Sequence, residues 1–580
     1  MAFGIIVAYL VLLIVLGVGA GRLLQRTSGD FFLASRGIGP FMLLMSIFGT
    51  TMTAFALIGS TGKTFQSGIG VYGLMASWSG IVHAAIFFLV GAKVWQLGKR
   101  HGYVTQLAYF RDRYRSEVLV ACLFPLLVGF VMLYILMGVI GGGRFVENVT
   151  QETFAMRGTL TEVPLAERPA DLEIPEDWKE RVRHDEARGM LVLDGSIHPK
   201  HRKDLLAMSP APAWKGAVAA LFAASPPTGA VTKPAGMAII CIVVLFYVFF
   251  GGMRATAWAN TMQTIVFMVM GVIAFFVITE ELGGPVEASK SLLENVNAPE
   301  PSRMQREGLI GQLQFLTYFF IPLSVGMFPH LFQHWLTAKK ASNFKLTVVA
   351  HPVCILITWL PCVLLGMWAT GVLPADTPPN AVLGMMVSRY STEVLSGLIA
   401  AGVLAAIMSS MDSQFLCLAS LFTNDIVAHW MRKDALGDRE RVLLGRGFVV
   451  CVVIVAYLIG LSNTQSVFDL GVWCFTGFAS LSPVLFAALY WRRSNRQGAI
   501  ASVLTTAALW VVFLPQVLHG GGEEDEFLVW GAMPVVILVA AATAVLVAVT
   551  LLTPPPEAAI VAKFFGTSDG RRGGARENLR

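Results

Sequence analysis

Apolar runs of roughly 20 residues recur along nearly the whole chain, separated by shorter polar connections. At 1.5 Å per residue, each run is long enough to cross a hydrocarbon core of about 30 Å. The runs carry no polar face, so they predict membrane helices rather than the amphipathic helices of a soluble domain. Thirteen spans follow, at roughly 2–21, 41–61, 70–92, 118–141, 236–251, 258–279, 309–334, 345–369, 393–428, 442–461, 467–490, 498–518 and 530–552. The fifth is short and joins the sixth through Gly251-Gly252-Met253-Arg254.

Setting aside the first span and the last two leaves ten. Five is odd, so two tandem five-helix units insert with opposite topology, the arithmetic of inverted-repeat transporters. The fold class expected is therefore all-α: a polytopic membrane protein of about 13 transmembrane helices in a 5+5 inverted repeat. The transmembrane domain spans 1–553, with an N-terminal helix at 2–21, repeat one at 41–280, repeat two at 309–490 and extra helices at 498–552. Each unit opens on a helix that invites interruption. The first contains Ser46-Ile47-Phe48-Gly49-Thr50-Thr51-Met52-Thr53, small and polar residues in mid-span. The second contains Phe320-Ile321-Pro322-Leu323-Ser324-Val325-Gly326-Met327-Phe328-Pro329, where proline removes a backbone donor and blocks a carbonyl one turn earlier. Unwound backbone at membrane depth is tolerated only where it is buried in protein or lines a cavity, so paired breaks point to a binding site. Small residues such as Gly49 and Gly59 would also serve close helix packing.

Composition agrees with the pattern: 55% of residues are hydrophobic and 14% charged, and mean hydropathy is +0.66. A formal charge of +6 could suggest nucleic acid, but the placement of the basic residues points to membrane orientation instead. Connections assigned alternately to two sides put 26 Lys and Arg on one side and 5 on the other, with 12 in the long insert 144–235. Clusters such as Arg111, Arg113, Arg115 and Arg492, Arg493, Arg496 lie on the rich side, and Glu523, Glu524, Asp525 and Glu526 on the poor one. The rich side is cytoplasmic, which puts the N-terminus outside and the C-terminus inside a multi-pass protein of the cell membrane. The first span lacks a basic region before it and is followed by Arg22 and Arg26, the reverse of signal-peptide polarity. The insert reads as an extracytoplasmic loop of solvated charges that includes His198 and His201, and the tail 554–580 as disordered and cytoplasmic. All seven cysteines fall inside apolar runs, which leaves no disulfide framework.

The most informative stretch is Gly402-Val403-Leu404-Ala405-Ala406-Ile407-Met408-Ser409-Ser410-Met411-Asp412-Ser413. Ala406, Ser409, Ser410 and Ser413 stand at i, i+3, i+4 and i+7 on one helix face. Hydroxyls beside carbonyls freed by an unwound neighbour can cage a hard cation; the same stripe can be a packing face whose hydroxyls bond backwards. Asp412 lies well inside the span, where a carboxylate costs about 2.5–3.5 kcal/mol and is either functional or specifically satisfied. Gly59-Ser60-Thr61-Gly62-Lys63-Thr64 has two residues, not four, between Gly and Gly-Lys, which excludes a phosphate loop. His330 and His334 share a helix face without a third metal ligand, and Asn148-Val149-Thr150 is a glycosylation sequon by pattern only.

Over roughly residues 2–500 the chain resembles the sodium:solute symporter family. Four stretches carry the likeness: Phe31-Phe32-Leu33-Ala34-Ser35-Arg36 with Gly39-Pro40; Gly251-Gly252-Met253-Arg254-Ala255 through Trp258 and Gln263; Phe328-Pro329-His330 through Gln333; and Ala406 to Gln414, ending Thr423-Asn424-Asp425. The resemblance implies a LeuT-like fold with sodium, the coupling ion, between the first and eighth core helices. Its ligands would be backbone carbonyls of Gly49, Met52 and Ala406 and the hydroxyls of Ser409 and Ser410. Asn260, Asp412 and Ser413 would lie on the cation path or just behind it. Three positions depart from the family pattern. Asn260 stands where many members have Asp, which removes a negative charge near the ion path. Gly49 replaces a commoner Ala, and His334 stands where Arg is frequent.

The solute would sit at mid-membrane against both broken helices, with Thr50, Thr51 and Thr53 as polar candidates and Trp78 and Phe328 as apolar or gating surfaces. No charged residue lies at the first break. A polyol, a sugar-like solute or a zwitterion is compatible, as is a carboxylate met by a half-helix N-terminus. The expected function is sodium-coupled symport of a small organic solute by alternating access. It would be carried out by a monomer in lipid, with no organic cofactor, no nucleic acid and no enzymatic constellation. The alternatives are a transporter-like sensor or scaffold without coupled flux, which Asn260 and the long insert favour, and a proton-coupled or uncoupled transporter.

Overall fold

The computed structural model describes residues 1–21, 33–151, 153–154, 160–194, 202–224, 229–294, 310–375, 377–429, 437–463, 465–519 and 527–566. Phe31, Phe32, His198, His201 and the acidic run 523–526 lie outside the described residues. Ten described helices are long and apolar enough to cross a membrane, and two further helix pairs do so together while bending by 59° and 54°. By that measure there are twelve spans where thirteen were expected. The difference lies in Lys233–Glu281, one 49-residue element that covers both 236–251 and 258–279. Straight, it would reach about 73 Å, more than two hydrocarbon thicknesses. It turns instead at Gly252, whose φ of 55° and ψ of −166° fall in a region open essentially to glycine alone.

The two bent pairs are Pro40–Thr51 with Phe55–Ser67, and Gln312–Gly326 with Pro329–Thr337. Both bends fall within the interrupted stretches read from the sequence. At the centre stands Glu393–Leu421, in which every residue from Ile399 onward is buried. It packs against Lys233–Glu281, Glu117–Val149, Ala2–Gly21 and Pro40–Thr51. Outer helices such as Asp438–Ser462 instead turn Leu443, Ile454 and Leu458 outward, as a lipid-facing surface requires. The first helix belongs to this packing: a Cβ on Gly17 would come within 2.4 Å of the Tyr247 Cβ, so that glycine permits close approach to Lys233–Glu281.

One end of the bundle gathers the basic residues. Arg36 donates to the Tyr103 carbonyl, Arg111 pairs with Asp425, and Arg113 donates to the carbonyls of Ala488 and Trp491. The tail meets this same end, where the expected disorder from Pro554 gives way to a helix at Ala558–Phe565. Ile560 and Phe564 are buried, Lys563 pairs with Asp112, Arg115 with Glu557, and the Arg113 guanidinium lies over Phe564 and Phe565. Burial pushes the Asp112 carboxyl up, but hydrogen bonds from Lys563 and Tyr103 outweigh it and hold the group below its ordinary range.

The insert departs from expectation most. Glu117–Val149 runs past residue 144, and 160–194 contains three strands, Leu160–Pro164, Val182–Asp185 and Met190–Asp194. They form an antiparallel sheet with Met190–Asp194 in the middle, so the chain is not wholly helical. Val163, Trp178, Leu191 and Leu193 from this sheet region pack with Trp214 and Leu221 of Pro212–Ala224 in a core of their own. The segment is a small folded domain, not a loop of solvated charge. Asn148 is buried in the last turn of its helix, against Gly384, and Gly59–Thr64 is helical.

Gly252→Ala is expected to lower the thermal unfolding temperature of the detergent-purified chain, by a cost on the order of 1–3 kcal/mol. Gly271→Ala, in the same element with open space around its would-be Cβ, is expected to leave it unchanged or raise it slightly.

Candidate functional site

Each break satisfies its own backbone. At the first, the Met52 N–H and the Thr51 hydroxyl both donate to the Phe48 carbonyl at 2.9 Å. Met52 then turns extended (ψ 110°), and Thr53 Oγ1 accepts from the Phe55 N–H at 3.0 Å to restart the helix. At the second, the Ser324 carbonyl accepts from the N–H groups of Met327 and Phe328 at 2.8 and 3.1 Å. The bend falls at Met327–Phe328, inside the proline-containing stretch expected to break. Pro322 sits inside the tight 3-10 run Tyr318–Gly326, and Pro329 opens the second half, where a missing N–H costs nothing.

Glu393–Leu421 crosses the first break so that the Ser409 hydroxyl lies 2.8 Å from the Gly49 carbonyl and 2.9 Å from the Ala406 carbonyl. Three of the five expected ion ligands thus meet around one oxygen. Ser410 accepts from Gln414 Nε2 at 2.8 Å and stands beside the Tyr134 hydroxyl, which also neighbours Thr53. Gly49 is not a neutral replacement for Ala: a Cβ there would come within 2.2 Å of Thr264 Oγ1, which donates to the Met45 carbonyl.

Behind this contact lies a buried polar cluster centred on the Ser413 hydroxyl. Thr50 Oγ1 is 2.8 Å from it, and Asn260, His334 Nε2 and Asp412 Oδ1 are each 3.0 Å away. A carboxylate only accepts, so the Asn260 amide nitrogen faces Asp412, donating at 2.8 and 3.1 Å to its two oxygens. The Tyr247 hydroxyl donates to Asp412 at 3.1 Å. Every one of these partners of Asp412 is a neutral donor. The three residues expected on the cation path therefore form one cluster, and the carboxylate missing at position 260 has a counterpart directly opposite, on Glu393–Leu421.

Between the two breaks lies a small cavity. Of the five solute candidates, Thr51 and Phe328 line it. Thr50 faces the polar cluster instead, Thr53 is occupied by its cap, and Trp78 donates to the Phe315 carbonyl with its ring against Phe315 and Phe319. The walls that sequence reasoning missed include Ser79, His83, Tyr134, Tyr318, Trp359 and Phe475. All but Tyr318, which starts the 3-10 run of the second break, come from helices without a break, and nothing local in their apolar runs marks them.

The sequence model of the sodium:solute symporter family matches residues 31–155 and 230–506. Among curated relatives, the osmoregulated proline transporter OpuE of Bacillus subtilis is 26% identical over 286 residues, 48% of this chain and 57% of its own. The sodium/proline symporter of Staphylococcus aureus is 26% identical over 299 residues, 49% of this chain and 57% of its own. The matched region thus spans little more than half the length of these relatives. Among solved structures, a Na+-coupled sialic acid symporter in a substrate-bound outward-open state superposes with a TM-score of 0.64 at 14% identity, covering 96% of this chain and 98% of that one. This likeness shows a LeuT-like fold.

Asn260→Asp would set two carboxylates about 3 Å apart, which cannot both ionise without a cation between them. The variant is expected to lose on the order of 3 kcal/mol of stability at neutral pH in low sodium, and to recover it on acidification or in high sodium. Melting curves across a pH and sodium grid check this; a melt identical to wild type throughout would mean that Asp412 and residue 260 do not touch.

Proposed function

This chain belongs to the sodium:solute symporter family, and from that membership we propose that it couples the entry of a small organic solute to sodium by alternating access. The observation that carries the reading is the Ser409 hydroxyl held between the Gly49 and Ala406 carbonyls, where a broken helix meets the buried central one. A sodium ion there would be met by the carbonyl oxygens of Gly49, Met52 and Ala406 and the hydroxyls of Ser409 and Ser410, all hard oxygen donors. It would tie the two helices together, and its departure would leave only neutral contacts to hold them. One sodium crossing about 100 mV supplies about 2.3 kcal/mol, enough for roughly fifty-fold accumulation of a neutral solute.

Asn260 no longer argues for a sensor that has lost coupling. The negative charge absent at 260 is supplied by Asp412 across one hydrogen bond, so the neighbourhood of the ion path keeps a carboxylate. Among the described partners of Asp412 there is no cationic side chain, and that same observation favours the second reading, in which a proton on Asp412 accompanies or replaces the sodium. The concentration of basic residues at the end that also holds the C-terminal helix supports a cytoplasmic C-terminus, with the N-terminus, the folded insert and the Met1–Glu393 ion pair outside.

Sodium is expected to stabilise the purified chain relative to potassium, by about 2.7 kcal/mol at a hundred times its dissociation constant. Ser409→Ala/Ser410→Ala should abolish that difference, on a baseline in potassium lowered by the buried hydrogen bonds lost, about 1–3 kcal/mol. A wild type indifferent to sodium but stabilised by acidification, with the effect lost in Asp412→Asn, would replace sodium by the proton.

A further inference from the structure

We propose that the cavity between the two breaks takes a small carboxylate with an apolar body and no ammonium group, its oxygens received by Trp359 and His83. The proposal rests on the sodium reading above and deepens it. Trp359 and His83 both line the cavity, are 3% and 6% exposed, and leave Trp359 Nε1 and His83 Nδ1 without a hydrogen-bond partner. An indole N–H can only donate, and a buried donor left unmet costs about 1–3 kcal/mol, so the occupant that suits this wall brings acceptor oxygens. A neutral imidazole with its proton on Nδ1 adds a second donor. The hydroxyls of Ser79 and Ser324 line the same space.

The sign of charge follows from what surrounds the cavity. Its lining contains no Asp or Glu, and the nearest described carboxylate in the site, Asp412, faces away into its own cluster with Asn260, Ser413 and Tyr247. An ammonium group would find no counter-charge. The negative end of Pro40–Thr51 and the positive end of Pro329–Thr337 both open here, so the helix dipoles largely offset each other. The remaining charge is the sodium itself. Met52 lines the cavity and supplies a carbonyl to the proposed ion site, which places a cation beside the solute and favours an anion over a neutral compound. The other walls are rings: Phe55, Tyr134, Tyr318, Phe328 and Phe475 fit an aliphatic or aromatic body.

The test is thermal stabilisation of the full purified chain in sodium, against potassium, by butyrate, phenylacetate, butyramide and L-proline. Butyrate or phenylacetate should raise the melting temperature in sodium, while butyramide and L-proline should not. Trp359→Phe and His83→Asn should each weaken the carboxylate at least tenfold and leave the shift caused by sodium alone unchanged. If L-proline or butyramide stabilises as well as the carboxylates, or if both variants retain wild-type carboxylate affinity, the proposal is overturned. A sodium shift with no carboxylate shift overturns it while the ion reading stands; absence of any sodium shift overturns both.

Discussion

A backbone that leaves helical geometry inside a hydrocarbon layer has to find its hydrogen-bond partners within the protein, because lipid offers none. Two helices of this chain do so, and most of the surrounding architecture can be understood as their enclosure. Phe48 and Ser324 each accept two donors at the turns, and Pro329 removes a donor that would otherwise be orphaned. The central helix Glu393–Leu421, buried throughout its second half, closes the first break with the hydroxyl of Ser409. The Gly49 and Ala406 carbonyls are thereby brought to one hydroxyl where two helices cross.

Charge is handled with similar economy. The membrane interior of the described chain keeps one carboxylate in the site region, Asp412, and surrounds it with a phenol, a hydroxyl and an amide. Such donors satisfy the buried carboxyl by hydrogen bonding without pairing it to a fixed opposite charge, as an arginine would have done. A group of basic side chains sits instead at one end, where Arg111, Arg113 and Arg115 join the connecting helix Gln106–Tyr114 to Asp425, to the carbonyls of Ala488 and Trp491 and to the tail.

Much of this was legible in the chain itself. Runs of apolar residues gave the spans, Gly and Thr in mid-span located the first break to within a few residues, and the spacing of Ala406, Ser409 and Ser413 showed the face that meets it. What escaped had physical reasons. Asn260 and Asp412 lie 152 positions apart, and only the crossing of two helices brings them together. The fit of Gly49 to Thr264 depends on another crossing, of Pro40–Thr51 with Lys233–Glu281. His83 and Trp359 occur in uninterrupted apolar runs, where a polar ring edge gives no periodic signal. The strands of the insert are only four or five residues long, and charges alternate with their core positions, so composition hid them. In the tail, Ile560 and Phe564 stand at the i, i+4 spacing of a docked helix, but the Gly- and Arg-rich residues after it dominated the reading.

The folded insert leaves and rejoins the bundle at nearly one point. The Phe154 N–H donates to the Gly229 carbonyl at 2.7 Å, and the Val231 N–H to Thr150 Oγ1 at 3.0 Å, closing the strand ends like the neck of a flask. The family match is interrupted across this same stretch, between 155 and 230. A module attached through so narrow a neck transmits little strain to the helices it interrupts, and its own core does not borrow from theirs. Its surface is thereby free to diverge without disturbing the broken helices, so the two parts of this chain can evolve on separate clocks.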